Sequence, residues 1–186
     1  IAFQVPTTSN IPQSGTANFV VLRASTQEIL AAGTFNMGQY NPAFFTSNAE
    51  GTGQVAAFND DGTVNGPNNP ISRDGTHYLS FCLTGGGIFS GGPNPPPADG
   101  AAPTAAASTA VAPVIGAAAL GGFAPASDVL YSGAGCDFPG GWQVSFHVEA
   151  KFPPGANAIV LTLGDVPSSI GPSGTVGSIQ VSFYAK

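Results

Sequence analysis

Two histidines, ten Asp and Glu, and four Lys and Arg supply most of the acid–base capacity in this chain of 186 residues. General acid–base and nucleophilic catalysis need such groups to converge on one point. The densest grouping is Gln143, Ser145, His147 and Glu149, which share the polar side of an alternating segment whose other side is Val144, Phe146, Val148 and Ala150. With Ser80 or Ser145 as the nucleophile, His147 and Glu149 could complete a hydrolytic trio. No Gly-x-Ser-x-Gly elbow raises either serine above its strand. His77 begins another segment on its apolar-facing side. The pattern is that of polar residues on the wet side of a sheet, and the expectation is that the protein is not an enzyme.

Asn59, Asp60, Asp61 and Asp74 offer hard oxygen ligands of the kind calcium takes. An EF-type loop would need Asp where Ala57 stands, and its terminal Glu is missing; Asp-Gly at 61–62 is what a tight turn asks for on its own. Gly85-Gly86-Gly87 runs toward Pro93 and not into a helix, so it is no phosphate cradle. Nothing clusters His and Cys for zinc. No metal or cofactor is expected. The net charge of −6 leaves too few cations to track phosphates, which argues against nucleic acid. The aromatic side chains remain. Trp142, Tyr131 and His147 are candidates for a ligand-binding surface, with a glycan the ligand such a surface would take; Tyr40, Tyr78 and Tyr184 are further outward-facing candidates.

These residues must be held by strands. His77 to Leu83, Gln143 to Ala150, a segment through Ile159, Leu161 and Leu163, and one through Ile179, Val181 and Phe183 all alternate apolar with polar. Phe81, Phe146, Val148, Leu161, Leu163, Val181 and Phe183 are expected to meet in one core. Further strands are expected at 1–5, 17–24, 40–45 and 54–58. Ser25-Thr26-Gln27-Glu28 has the form of a capping box, so 25–32 reads as a short helix as readily as 28–35 reads as a strand. The 26 Gly and 17 Pro punctuate these segments. No run is long and apolar enough for a membrane helix, so membrane insertion is not expected.

One domain over 1–186 is expected, carrying a Gly/Ala/Pro-rich insertion at 84–127 whose single charge is Asp99. The half with Val111, Val114, Ile115, Leu120 and Phe123 is too apolar for a solvated spacer, and ordering it calls for contact. Those five residues are therefore the expected interface with a neighbouring subunit. Cys82 and Cys136 fit no metal motif and read either as a disulfide or as two buried thiols. The chain opens on Ile1 without a basic-then-apolar leader, the form of a processed or excised chain.

Asp74-Gly75-Thr76-His77-Tyr78-Leu79-Ser80-Phe81 resembles the Gly-x-Tyr-x-Phe-x-Phe strand of complement-type and tumour-necrosis-factor-type heads. Leu161-Thr162-Leu163-Gly164-Asp165-Val166 is similar to their Leu-x-x-Gly-Asp-x-Val segment, Gly177 to Phe183 to their closing strand, and Ile1-Ala2-Phe3 to their opening one. The resemblance covers about a quarter of the residues in the same order, and the insertion has no counterpart in it. It implies a trimeric jelly-roll head; viral jelly-roll structural proteins share the same strand punctuation. The expectation is an all-β jelly-roll β-sandwich with a long insertion, a non-enzymatic assembly protein that pairs with itself and with other shell proteins on a virion surface. A secreted glycan- or receptor-binding head is the alternative, and either reading places the chain outside the cell.

Overall fold

The computed structural model describes residues 14–87, 97–98, 100–103, 114–117, 122–124, 129–164, 166–168 and 181–186, with backbone alone at 114–117 and 122–124. The expected strand at 1–5 lies outside them. The chain divides into two compact units, Val5–Gln39 and a larger one that includes Tyr40–Lys186.

The smaller unit contains one antiparallel hairpin, β1 (Gly15–Leu22) with β2 (Ile29–Met37). The turn between them is closed by Arg23 O, which accepts from Thr26 N and Gln27 N, and by Arg23 N donating to Glu28 O. A helix at 25–32 is thereby excluded: Ile29 and its successors pair with β1, and that non-local ladder overrides the local capping signal. Phe19 lies over its cross-strand partner Gly33, where a Cβ would come within 2.9 Å of the ring. The glycine is needed to admit the aromatic ring.

The larger unit holds β3 (Ala43–Phe44), β4 (Gly53–Gln54), β5 (Ala57–Asn59), β6 (Tyr78–Thr84), β7 (Val114–Ala117), β8 (Gly122–Ala124), β9 (Val129–Ala134), β10 (Trp142–His147), β11 (Gly155–Leu163), β12 (Val166–Pro167) and β13 (Val181–Ala185). One sheet runs β3-β6-β10-β9 with β5 also on β6; the other runs β4-β13-β11-β7-β8 with β12 on β11. Every strand pairing is antiparallel except β4 with β13. The protein is all-β, with no helix among the described residues. The expected strand at 54–58 is split, because β4 serves one sheet and β5 the other, and of 40–45 only Ala43–Phe44 pairs.

Alternation explains the core. Leu79, Phe81 and Leu83 from β6 and Trp142, Val144 and Phe146 from β10 form one buried cluster with Ile159, Leu161 and Leu163 from β11 and Val181, Phe183 and Ala185 from β13. The two sheets therefore face each other in a sandwich-like arrangement. Phe183 touches both Phe81 (6.3 Å between centroids) and Phe146 (6.0 Å) across the interior. All seven residues expected in one core lie in this cluster.

Two short pieces of the insertion are strands. Val114–Ala117 pairs with Ile159–Thr162 of β11 on one side and with β8 on the other. Hydrogen bonds within the chain hold the backbone of these two segments. Alanine and glycine supply no amphipathic signal, yet their backbones can complete a ladder. Val111 and Leu120 lie outside the described residues, as do the side chains of Val114, Ile115 and Phe123.

Candidate functional site

The face of the first sheet turned away from the core carries the polar residues that the sequence singles out. Register sets them in rows: Phe58 of β5 opposite Ser80 of β6, Ser80 opposite Ser145 of β10, and Ser145 opposite Tyr131 of β9. Tyr78 stands opposite His147 one step along. Val64 bridges to Phe58 and extends the first row.

The hydroxyls here bond to one another and to neighbouring groups, and Ser145 itself is buried. Ser80 Oγ meets Ser145 Oγ at 2.7 Å, and Gln143 Nε2 donates to Ser145 Oγ at 3.3 Å. Tyr131 Oη donates to the Ala134 carbonyl at 2.7 Å. Glu149 is ion-paired with Lys151 at 3.2 Å. The structure thus brings Ser80, Ser145 and His147 onto one face, but it engages the serines with each other and Glu149 with a lysine, not in a relay through His147.

Trp142 does not belong to this face. Its ring is fully buried, and its indole Nε1 donates to Ser132 Oγ at 3.0 Å. An aromatic platform must be exposed to stack on a ligand, so Trp142 is a core residue and Tyr131 and His147 remain as the ligand candidates of the sequence. The signal was legible: Trp142 continues the period of two through Val144 and Phe146.

Cys82 and Cys136 are joined in a disulfide that ties the turn after β9 to β6 on the outer face. Phe138 in that turn packs edge-on against Phe45 at 5.2 Å. Cys136 and Asp137 take left-handed backbone angles, φ 65° and 55°.

A second grouping lies at the start of β6. His77 Nδ1 is 2.8 Å from Asp60 Oδ2, and its Nε2 is 3.6 Å from Asp74 Oδ2. β5 pairing with β6, Asn59 opposite Leu79, brings the turn aspartate to the histidine. Sequence reasoning weighed Asp60 as a calcium ligand and preferred it as a turn former, and it missed this contact. The hydrogen bond to Asp60 raises the His77 pKa above 6.5; desolvation opposes it, and the Asp60 and Asp74 charges add to it. Thr76 donates from side chain and backbone to Asp74, and Thr63 does the same to Asp61, which lowers both carboxyls below 3.8.

A raised histidine pKa stabilises the fold below the ordinary value near 6.5, and that contribution is lost as pH rises through the raised value. The aspartates contribute above 3.8, and lose that contribution as pH falls through their lowered values. Between about pH 6 and 8 the thermal midpoint is therefore expected to fall slightly, and His77→Asn should remove that slope. With the His77 side chain 43% exposed the effect is small, and an identical slope in the variant would show that the ion pairs do not form. Among the described residues no three His, Cys, Asp or Glu are grouped to hold a metal ion.

The fold and this face define an all-β, disulfide-bonded protein with a partly aromatic outer sheet surface and a two-stranded hairpin in its smaller unit. No family model, no curated protein and no solved structure matches the chain.

Proposed function

We propose that this chain is a non-catalytic assembly protein, a trimer-forming subunit that builds or decorates the outside of a virion or a comparable shell. The observation that carries the reading is the β1–β2 hairpin, which forms a two-stranded sheet of its own. An isolated two-stranded hairpin is at best marginally stable in water. Its side through Ala17, Phe19, Val21, Phe35 and Met37 bears no polar group, and Val20, Leu22, Ile29 and Leu30 are exposed. Such an arm calls for a surface to lie on, and assembly supplies one.

Two further features agree. Charged residues make up only 8% of the chain, which keeps the cost of covering its surface low. The disulfide suits an oxidising setting outside the cytosol. The jelly-roll form of the sandwich is part of the proposal: the chain passes between the sheets after β3, β4, β6, β8 and β10, and repeated crossing of this kind is what Greek-key sandwiches do.

Light scattering at several concentrations tests the reading. A mass near three times the 18.5 kDa of one chain is expected. A single-chain mass at every concentration overturns it, and a glycan-array signal from such a monomer would transfer the outer face to the recognition-head alternative.

A further inference from the structure

We propose that Asn65–Gly66 is a self-modifying site which the fold holds shut: release of β13 exposes the Asn65 carboxamide to attack by the Gly66 amide, and the carboxylate that results stops the strand from seating again. The proposal is independent of the assembly reading. The sequence contains one Asn-Gly pair, at 65–66. Glycine leaves its own amide nitrogen open to the preceding side chain, because no Cβ obstructs the five-membered ring that closes between them. Yet this asparagine is fully buried.

Its carboxamide takes the place of a backbone peptide unit beside β13. Tyr184 N donates to Asn65 Oδ1 at 2.8 Å, while Asn65 Nδ2 donates to Tyr184 O at 2.8 Å and to Asn59 Oδ1 at 3.0 Å. Both amide hydrogens are thereby used. The main chain is held as well: Asn65 N donates to Ala57 O at 2.9 Å, Gln54 Nε2 donates to Asn65 O, and Gly66 N donates to Asn69 O at 3.3 Å. The carbon that would be attacked and the nitrogen that would attack it are both engaged elsewhere. Two of the three carboxamide bonds end on Tyr184, whose neighbour Phe183 is fully buried in the core. Freeing Asn65 therefore means withdrawing Phe183, an opening of high free energy.

In the open chain the Gly66 nitrogen forms a bond to Asn65 Cγ, the Cγ–Nδ2 bond breaks, and ammonia leaves with the proton that Gly66 N gives up, closing a succinimide. Water then opens the ring at either carbonyl. The product is an aspartate at 65, or its isomer with the main chain routed through the side-chain carbon. Neither fits the closed site. A carboxylate has no hydrogen to donate, so it sets a buried negative charge against the Tyr184 and Asn59 oxygens that Nδ2 satisfies in the parent. The isomer also lengthens the main chain between two segments held by hydrogen bonds. An excursion of β13 is thus written into the covalent structure, and a chain that stays open is withdrawn from the folded population.

The test holds the full-length parent at mildly alkaline pH in native buffer and in urea above its unfolding midpoint, beside Gly66→Ala in the same urea. Peptide mapping follows the mass gain of about 1 Da that replacing the amide by a carboxyl brings at residue 65. Conversion in native buffer is expected to be at least about a hundredfold slower than in urea, as a rare open state requires. Gly66→Ala in urea is expected to convert about tenfold or more slowly than the parent, since its methyl group obstructs the ring closure. After the urea is removed, converted chains should refold with a lower denaturant midpoint or stay unfolded, and Asn65→Asp made directly should do the same. A native rate close to the urea rate overturns the proposal, because the fold would then not be what protects the site. Gly66→Ala converting as fast as the parent overturns the assignment of Gly66 N as the nucleophile. Converted chains that recover the parent's midpoint overturn the claim that the product keeps β13 from seating.

Discussion

Phe146→Ala is expected to lower the unfolding free energy by about 3–5 kcal/mol, the usual cost of deleting a buried aromatic ring. The Phe146 ring is fully buried and stacks on Phe81 at 5.3 Å, with Phe152 at 5.9 Å and Phe183 at 6.0 Å meeting it edge-on. These neighbours come from both sheets and from the loop after β10, so no single segment can move in to fill the space. Incomplete collapse leaves a cavity, which adds to the lost transfer energy. For a domain of this size the thermal midpoint should drop by roughly 6–20 °C. Phe58→Ala is the control: it removes the same ring from an exposed position and should cost under about 0.5 kcal/mol in a monomeric sample. Denaturant melts of both variants decide the matter, and a Phe146→Ala loss below about 1 kcal/mol would mean that the sheets are not packed through this ring.

Sequence and structure agree where one strand face is buried and the other is wet, and part company where that contrast is absent. β6, β10 and β11 announce themselves because large apolar residues recur at every second position, Leu79, Phe81 and Leu83, then Val144 and Phe146, then Ile159, Leu161 and Leu163. β7 and β8 do not, since Val-Ile-Gly-Ala and Gly-Phe-Ala have no polar alternation and owe their place to ladder hydrogen bonds, β7 with β11 and β8 with β7. In β2, local chemistry pointed two ways, and pairing with β1 decided it. The outer-face residues were placeable one strand at a time. Their partners were not: Ser80 with Ser145, and His77 with Asp60, are set by registers that join segments 65 and 17 residues apart. Trp142 was misplaced through its exposed-looking Gly-Gly neighbourhood, although its own period pointed inward.

Removing the disulfide should be the other large perturbation. Cys82 and Cys136 close a loop with a sequence separation of 54, and chain-entropy reasoning assigns such a loop about 4 kcal/mol through the unfolded state. Part of that is offset in the folded state. Cys136 and Asp137 hold left-handed backbone angles that cost on the order of 1–3 kcal/mol each for residues other than glycine. Once the bond is gone, that strain can relax only by disturbing the turn that seats Phe138 on Phe45. Two variants separate the contributions. Cys82→Ala with Cys136→Ala should lose close to the full 4 kcal/mol, because alanine keeps the backbone strain. Cys82→Ala with Cys136→Gly should lose roughly 1 kcal/mol less, because glycine takes a positive φ without penalty. Both should remain folded if total stability lies in the usual range of about 5–15 kcal/mol, and the parent in reductant should behave like neither, since its thiols are larger than a methyl group. Denaturant midpoints at equal slope measure the differences. Equal losses in the two variants would place the Cys136 turn outside the strained region, and a loss under about 1 kcal/mol in both would show that the bond constrains little that the sandwich does not already hold.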